Sequence, residues 1–156
     1  MTSYFPDVNT WLALAWDGHV HHQEAANWFG GVLEPSRLIF SRYSQLGFLR
    51  LMTNAKVMGD SVVSLEDAFA AYDCFLDDPR IELGREPHGV DRLFREFSGP
   101  IAPQPATKAI GDLYLMAFAV ATGATLVTFD KAMARALRAR RASALLLLGR
   151  ASGQAQ

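Results

Sequence analysis

The chain has 156 residues, half of them apolar, which is enough for one domain with a substantial core. Fifteen basic against sixteen acidic residues leave a net charge of −1, which excludes a surface coated in positive charge but allows a local basic patch. One cysteine excludes an internal disulfide framework. The amino terminus lacks a basic segment followed by an apolar one, and the longest apolar run, Leu113–Ala121, falls well short of the roughly 20 residues that span a bilayer. The expectation is a soluble, cytoplasmic protein with no membrane contact.

In chain order, a short strand at Ser3–Pro6 leads into Val8–Trp16, apolar on most faces as a packed helix would be, and Asp17-Gly18 breaks it. His22–Leu33 reads as a second helix, with Ala25, Ala26, Trp28, Phe29 and Val32 at near-helical spacing, and Pro35-Ser36 ends that unit. Trp11, Trp16, Trp28 and Phe29 read mostly as core. Arg37–Phe40 is β-prone and Tyr43–Met52 forms a third helix, in which Arg50 reads as a structural ion-pair partner. Ser64-Leu65-Glu66-Asp67 fits a capping box that opens a helix to about Leu76, stopped by Asp77-Asp78-Pro79. Cys74 within it reads as a small buried hydrophobe.

Arg80–Leu83 is a short strand, Val90–Phe97 a short helix, and Gly99–Pro105 a loop with three prolines. Thr107–Thr122 is helical with Gly123 as its cap, Ala124–Phe129 is a buried strand, Lys131–Arg141 a basic helix, Ser143–Leu148 a last apolar strand, and 150–156 a frayed tail. Strands alternating with helices predict an α/β fold in three α/β/α layers, with a mostly parallel sheet of four or five short strands flanked by helices, as a single domain over 1–149.

Asp7 and Asp130 each follow a strand-like run and precede a helix, and Asp112 lies near the start of a strongly apolar helix. In a parallel α/β sheet ligands gather beyond the carboxyl ends of the strands, so such junction residues can meet there. Asp7 and Asp130 also suit plain helix capping. Asp112 is harder to place without function, because a charge among Ile110, Leu113, Leu115, Met116 and Phe118 is unfavourable unless paired or metal-bound. Three converging carboxylates repel one another unless they hold a hard cation, and Mg²⁺ bound to substrate phosphate has that chemistry. The residues therefore point to a metal-dependent phosphodiesterase. Asn9 and Thr128 are placed to orient a carboxylate or a water, with first-turn polarity and a strand-end hydroxyl as their ordinary readings. Asp77 and Asp78 precede a strand instead, at the amino end of the sheet, and read as helix-ending and solvated.

Phe5-Pro6-Asp7-Val8-Asn9, Gly111-Asp112-Leu113-Tyr114-Leu115 with Ala117 and Ala119, and Gly123-Ala124-Thr125-Leu126-Val127-Thr128-Phe129-Asp130 resemble the conserved blocks of PIN-domain ribonucleases. More narrowly, with His19-Val20-His21-His22 and Phe48-Leu49-Arg50-Leu51, they resemble VapC-type toxins of bacterial toxin–antitoxin pairs, over essentially the whole chain. The resemblance implies Mg²⁺- or Mn²⁺-dependent endonucleolytic cleavage of RNA, with Asp7, Asp112 and Asp130 as metal-site acids. It also implies a homodimer and inhibition by a small cognate antitoxin. The family often has a glutamate early in its third helix. The matching position here is taken as Gln45, a neutral amide able to position a water or metal without adding charge.

Lys131, Arg135 and Arg138 share one helical face, extended by Arg140 and Arg141, and suit either a helix carboxyl end or RNA phosphates. Lys108, one turn before Asp112, would meet a substrate phosphate or an acid of the site. His19, His21 and His22 read as helix-capping or surface residues rather than a zinc site. Two other functions remain open. One is a catalytically silent RNA- or protein-binding PIN module, suggested by Gln45. The other is a small-molecule phosphohydrolase with an aspartyl nucleophile, although Asn9 stands where its second acid would be.

Overall fold

The computed structural model describes residues 1–140 and 145–149. Five strands form one parallel sheet: β1 Ser3–Pro6, β2 Arg37–Phe40, β3 Ile81–Leu83, β4 Thr125–Thr128 and β5 Leu145–Leu147, in the order β3-β2-β1-β4-β5. All four pairings are parallel. The strands are short apolar runs because both faces of the sheet are covered. Side chains alternate between the two faces with the two-residue strand period. Phe5, Ile39 and Leu126 pack into one core, and Tyr4, Leu38 and Phe40 into the other.

The helices divide between those cores. Helices α1 (Val8–Ala15), α2 (His22–Gly30), α3 (Arg42–Met52), α4 (Ala55–Met58) and α5 (Leu65–Leu76) are associated with the core around Trp11, Phe40 and Phe48. Helices α6 (Val90–Ser98), α7 (Ala109–Thr122) and α8 (Lys131–Ala139) build the core around Phe5, Phe118 and Leu126. This is the expected three-layer α/β/α arrangement, with the sheet wholly parallel and five-stranded. Connections from β1 run outward one way to β2 and β3, and the chain returns on the other face to β4 and β5. The winding therefore reverses between β1 and β4. In doubly wound sheets that reversal opens a crevice at the carboxyl ends of the two central strands.

Local signals explain most boundaries. The Ser64 hydroxyl accepts from Asp67 N at 3.0 Å, one half of the expected capping box, while Asp67 Oδ2 accepts from that hydroxyl at 2.9 Å and not from the Ser64 backbone amide. Ser41 and Ser44 form a second, reciprocal box at the start of α3. Gly123 ends α7 with φ of 67°, a left-handed conformation that glycine adopts without a Cβ penalty. Helix α4 escapes the sequence reading because its four residues show no period; Asn54 caps it. The loop at Gly99–Pro105 begins with a single 3₁₀ turn, Gly99–Ile101. The last strand was expected from Ser143, which lies outside the described residues, as do Arg141 and 150–156. Cys74 is exposed, contrary to expectation, because it falls on the outer flank of α5.

Trp11 stacks on Phe40 at 3.8 Å between centroids, and Phe48, Tyr72 and Phe75 meet Phe40 edge-on or tilted. Phe40 is fully buried. Phe40→Ala is expected to lower stability by about 3–5 kcal/mol, transfer and cavity terms together, read as a shift in the denaturant midpoint at unchanged slope.

Candidate active site

At the crevice, β1 and β4 pair through Pro6 and Val127, and the Asp7 amide continues the ladder to the Val127 carbonyl at 2.9 Å. Asp7 and the Thr128–Asp130 segment are thus neighbours because their strands are. Asp7 caps α1: its Oδ1 accepts from Thr10 N at 2.8 Å and Thr10 Oγ1 at 2.7 Å. Its Oδ2 accepts from the buried Thr128 hydroxyl at 2.5 Å. Thr128 Oγ1 in turn accepts from the Asp130 amide at 2.9 Å. Asp130 caps α8 through Ala132 N at 2.8 Å and Met133 N at 3.1 Å. The capping and functional readings of these two acids are therefore compatible: each carboxylate begins a helix and still lines the crevice.

Asp7, Asp112 and Asp130 line one hollow of about 280 Å³, with Val8, Asn9, Tyr43, Gly47, Arg50 and Leu115 among its other walls. The acids sense one another. Burial pushes Asp7 above the ordinary aspartate value, against the lowering pull of its Thr128 and Thr10 hydrogen bonds, and Asp130 adds to the rise. Asp112 is pushed up to about 6, first by burial and then by the charges of Asp130 and Asp7. Among the described residues Asp112 makes no side-chain hydrogen bond or ion pair, so it is the least restrained of the three.

No set of three acidic, histidine or cysteine side chains among the described residues is close enough to hold one ion by itself. The hollow therefore suits a hard cation that keeps several waters and takes one or two carboxylates directly, which is the habit of Mg²⁺. The donor set fits that ion: oxygen only, anionic, and mutually repelling without a cation.

The structure separates the other candidate residues. Asn9 is exposed at the rim of the hollow. Gln45 is not brought to it. Tyr43, Gly47, Arg50 and Leu51 form the face of α3 that lines the hollow, and residue 45 lies about 200° around the helix from residue 43. Gln45 is buried there and accepts a hydrogen bond from Arg42. Gly47 is on that lining face, and its Cβ position lies 2.8 and 3.0 Å from the Val8 methyls. Lys108 is also absent from the hollow. It starts α7 and lines a separate depression with Ile101, Gln104 and Pro105.

Lys131, Arg135 and Arg138 do line a common groove, with Leu147, Leu148 and Gly149, beginning beside Asp130. Arg140 leaves that patch: its guanidinium donates to the Phe97 and Ala136 carbonyls. Arg50 makes no ion pair among the described residues, against expectation, and lines the acid hollow instead. The sequence reading took it as a structural ion-pair partner, because the pattern along α3 does not show which wall of the crevice that flank meets. Tyr43 was missed. A Cβ on Gly111 would fall 2.0 Å from its hydroxyl, so the ring closes over the backbone next to Asp112.

The histidines stay outside the hollow. His22 Nδ1 lies 2.7 Å from the Ala13 carbonyl near the end of α1, His19 Nδ1 accepts from His21 N, and His21 stacks on Phe129. Asp78, at the far end of the sheet, is ion-paired with Arg80 at 2.6 Å and not simply solvated; that hydrogen bond holds it below the ordinary range.

The PIN domain family model matches residues 4–138, and the chain belongs to that family. Ribonuclease VapC41 of Mycobacterium tuberculosis is 43% identical over 130 residues, covering 81% of this chain and 88% of that protein. The resemblance to VapC-type members is thereby borne out. Solved structures share the fold at low identity. VapBC2 from Rickettsia felis, bound to a promoter DNA fragment, has a TM-score of 0.66 at 15% identity over 95% of this chain and 100% of that one. Mycobacterium tuberculosis VapC20, described as a sarcin–ricin loop cleaving toxin, scores 0.63 at 16% over 85% of this chain and 94% of that one.

The Asp112 shift has a testable sign. Asp112 in the folded chain is pushed up to about 6 from its ordinary 3.8, so the folded state keeps a proton that the unfolded chain releases in that window. Its contribution to stability is present below the lower value and is lost as pH rises through the higher one. In chelator-treated protein, Asp112→Asn is expected to be more stable than the parent by about 1–2 kcal/mol at pH 8, discounted for partial exposure, and nearly equal at pH 4. Thermal unfolding at the two pH values checks it.

Proposed function

We propose that this chain is an endoribonuclease, the toxin member of a toxin–antitoxin pair. In this reading it hydrolyses RNA phosphodiester bonds with Mg²⁺ or Mn²⁺ held by Asp7, Asp112 and Asp130, directly or through water. The observation that carries it is the sharing of one hollow, at the reversal point of the sheet, by three acids, two of which are lifted above the ordinary aspartate value partly by neighbouring acids. A divalent cation there would polarise the scissile phosphate and lower the pKa of a bound water. The residues supply the rest. Thr10 and Thr128 fix the rotamer of Asp7, α8 amides fix Asp130, and Asp112 is left to turn toward a ligand. Asn9 at the rim is placed to orient a water.

RNA is the substrate this reading takes from the ribonuclease relatives. The groove of Lys131, Arg135 and Arg138 offers its phosphates a path that starts beside Asp130. A cognate antitoxin is the partner by likeness to the VapBC structures. Exposed Leu65, Phe69 and Leu76 on α5 suit a protein contact, which we read as part of a homodimer or antitoxin interface. The domain is taken as one unit over 1–149. No described helix is long and apolar enough to cross a membrane, which accords with a cytoplasmic place.

The silent-module reading keeps one support: the α3 wall offers no carboxylate. Purified protein with Mn²⁺ and mixed cellular RNA separates the two. Cleavage is expected, removed by chelator and lowered about 100-fold or more by Asp7→Asn, Asp112→Asn or Asp130→Asn. Cleavage indifferent to Asp7→Asn would defeat the assignment of that residue, and a phosphoenzyme trapped on Asp7 would favour the phosphohydrolase.

A further inference from the structure

The α3 wall of the hollow carries a cation with no carboxylate partner among the described residues. Arg37, Arg80, Arg92 and Arg95 pair with carboxylates, while Arg42 and Arg140 donate to amide or carbonyl oxygens. Arg50, like Arg85, Arg135 and Arg138, does neither among the described residues, but Arg50 is the arginine that lines the acid hollow. It is exposed, on α3, in the same hollow as Asp7, Asp112 and Asp130, and it makes no ion pair with any of them.

Backbone packing reserves this wall against an acid. Gly47, one helical turn before Arg50, is where a carboxylate on α3 would face the other three. A Cβ there would meet Val8 Cγ2 at 2.8 Å and Cγ1 at 3.0 Å, and the β-branched Val8 side chain at the first turn of α1 has little freedom to yield. The hollow is thus lined by three acids and one arginine.

Charge counting says what that arrangement accepts. Three carboxylates and one divalent cation sum to −1, which repels a phosphodiester; Arg50 brings the sum to zero. A guanidinium stays charged at any working pH, and its planar fork matches two oxygens of a phosphate. We propose that Arg50 is a catalytic residue that holds a non-bridging oxygen of the scissile phosphate from the α3 wall of the hollow. It exchanges no proton. It stabilises the charge that accumulates on the phosphoryl oxygens as the P–O bond to the leaving oxygen breaks. This rests on the endoribonuclease reading above.

The test uses the full chain with Mn²⁺. Cleavage of mixed cellular RNA is followed for the parent, Arg50→Ala and Arg50→Lys. Binding of a randomised single-stranded RNA is measured in an Asp7→Asn background with and without Arg50→Ala, and Mn²⁺ uptake by calorimetry. Arg50→Ala is expected to lower the cleavage rate about 100-fold, with Arg50→Lys recovering part of the loss. The same change should weaken RNA binding and leave Mn²⁺ affinity equal or tighter, since a cation beside the acids is gone. A merely structural role would weaken Mn²⁺ uptake along with RNA binding. Cleavage by Arg50→Ala within about threefold of the parent, while Asp7→Asn abolishes it, overturns the proposal and spares the nuclease. Loss of Mn²⁺ uptake or of the folded state together with activity also overturns it. A parent protein that cuts no RNA ends the nuclease reading, and the role of Arg50 ends with it.

Discussion

The Thr128 hydroxyl sits between two strand ends, donating to Asp7 Oδ2 and accepting from the Asp130 amide. It has this place because β1 and β4 run side by side in parallel register, each ending where the next helix begins. Asp7 is almost wholly out of solvent, and an ionised carboxylate there is tolerable only because three donors reach it. Burial still wins over those donors, so the group titrates above its ordinary value. The site is thus built around a charge that the fold holds at some expense and that a cation would relieve.

Topology supplies the remainder. Strand order reverses between β1 and β4, so α1 and α3 stand on one side of the crevice and α7 and α8 on the other. Two acids come from strand–helix junctions and the third from the first turn of α7. The two cores lie on opposite faces of the sheet, and the hollow lies where neither covers its edge. Stability and chemistry share the same residues here, since Asp7 and Asp130 each start a helix as well as line the hollow.

Much of this was legible in sequence, for identifiable reasons. Apolar runs bounded by Gly, Pro and Asp located all five strands within a few residues, and Ser64 with Asp67 announced α5. Asp7, Asp112 and Asp130 stood out because position relative to strand ends, not acidity, selects them. The failures share a cause: one-dimensional patterns do not say which flank of a helix faces what. Gln45 was matched by residue type to an acidic position, whereas the helical turn puts Gly47 toward the acids. Arg50 looked like a structural ion-pair partner, and Lys108 like a neighbour of Asp112. Their true surroundings depend on how α3 and α7 sit across the crevice. Cys74 was taken as buried on an apolar helix that exposes its outer side.

Two glycines set the gauge of the cleft. Gly47 lets α3 rest directly on Val8, and Gly111 lets the Tyr43 hydroxyl reach the backbone preceding Asp112. A single methyl at either point acts as a wedge, prising one bank from the other. The spacing of the charged groups is therefore governed by atoms that are missing from the chain. Mutational surveys that score only polar side chains would overlook the positions that determine its width.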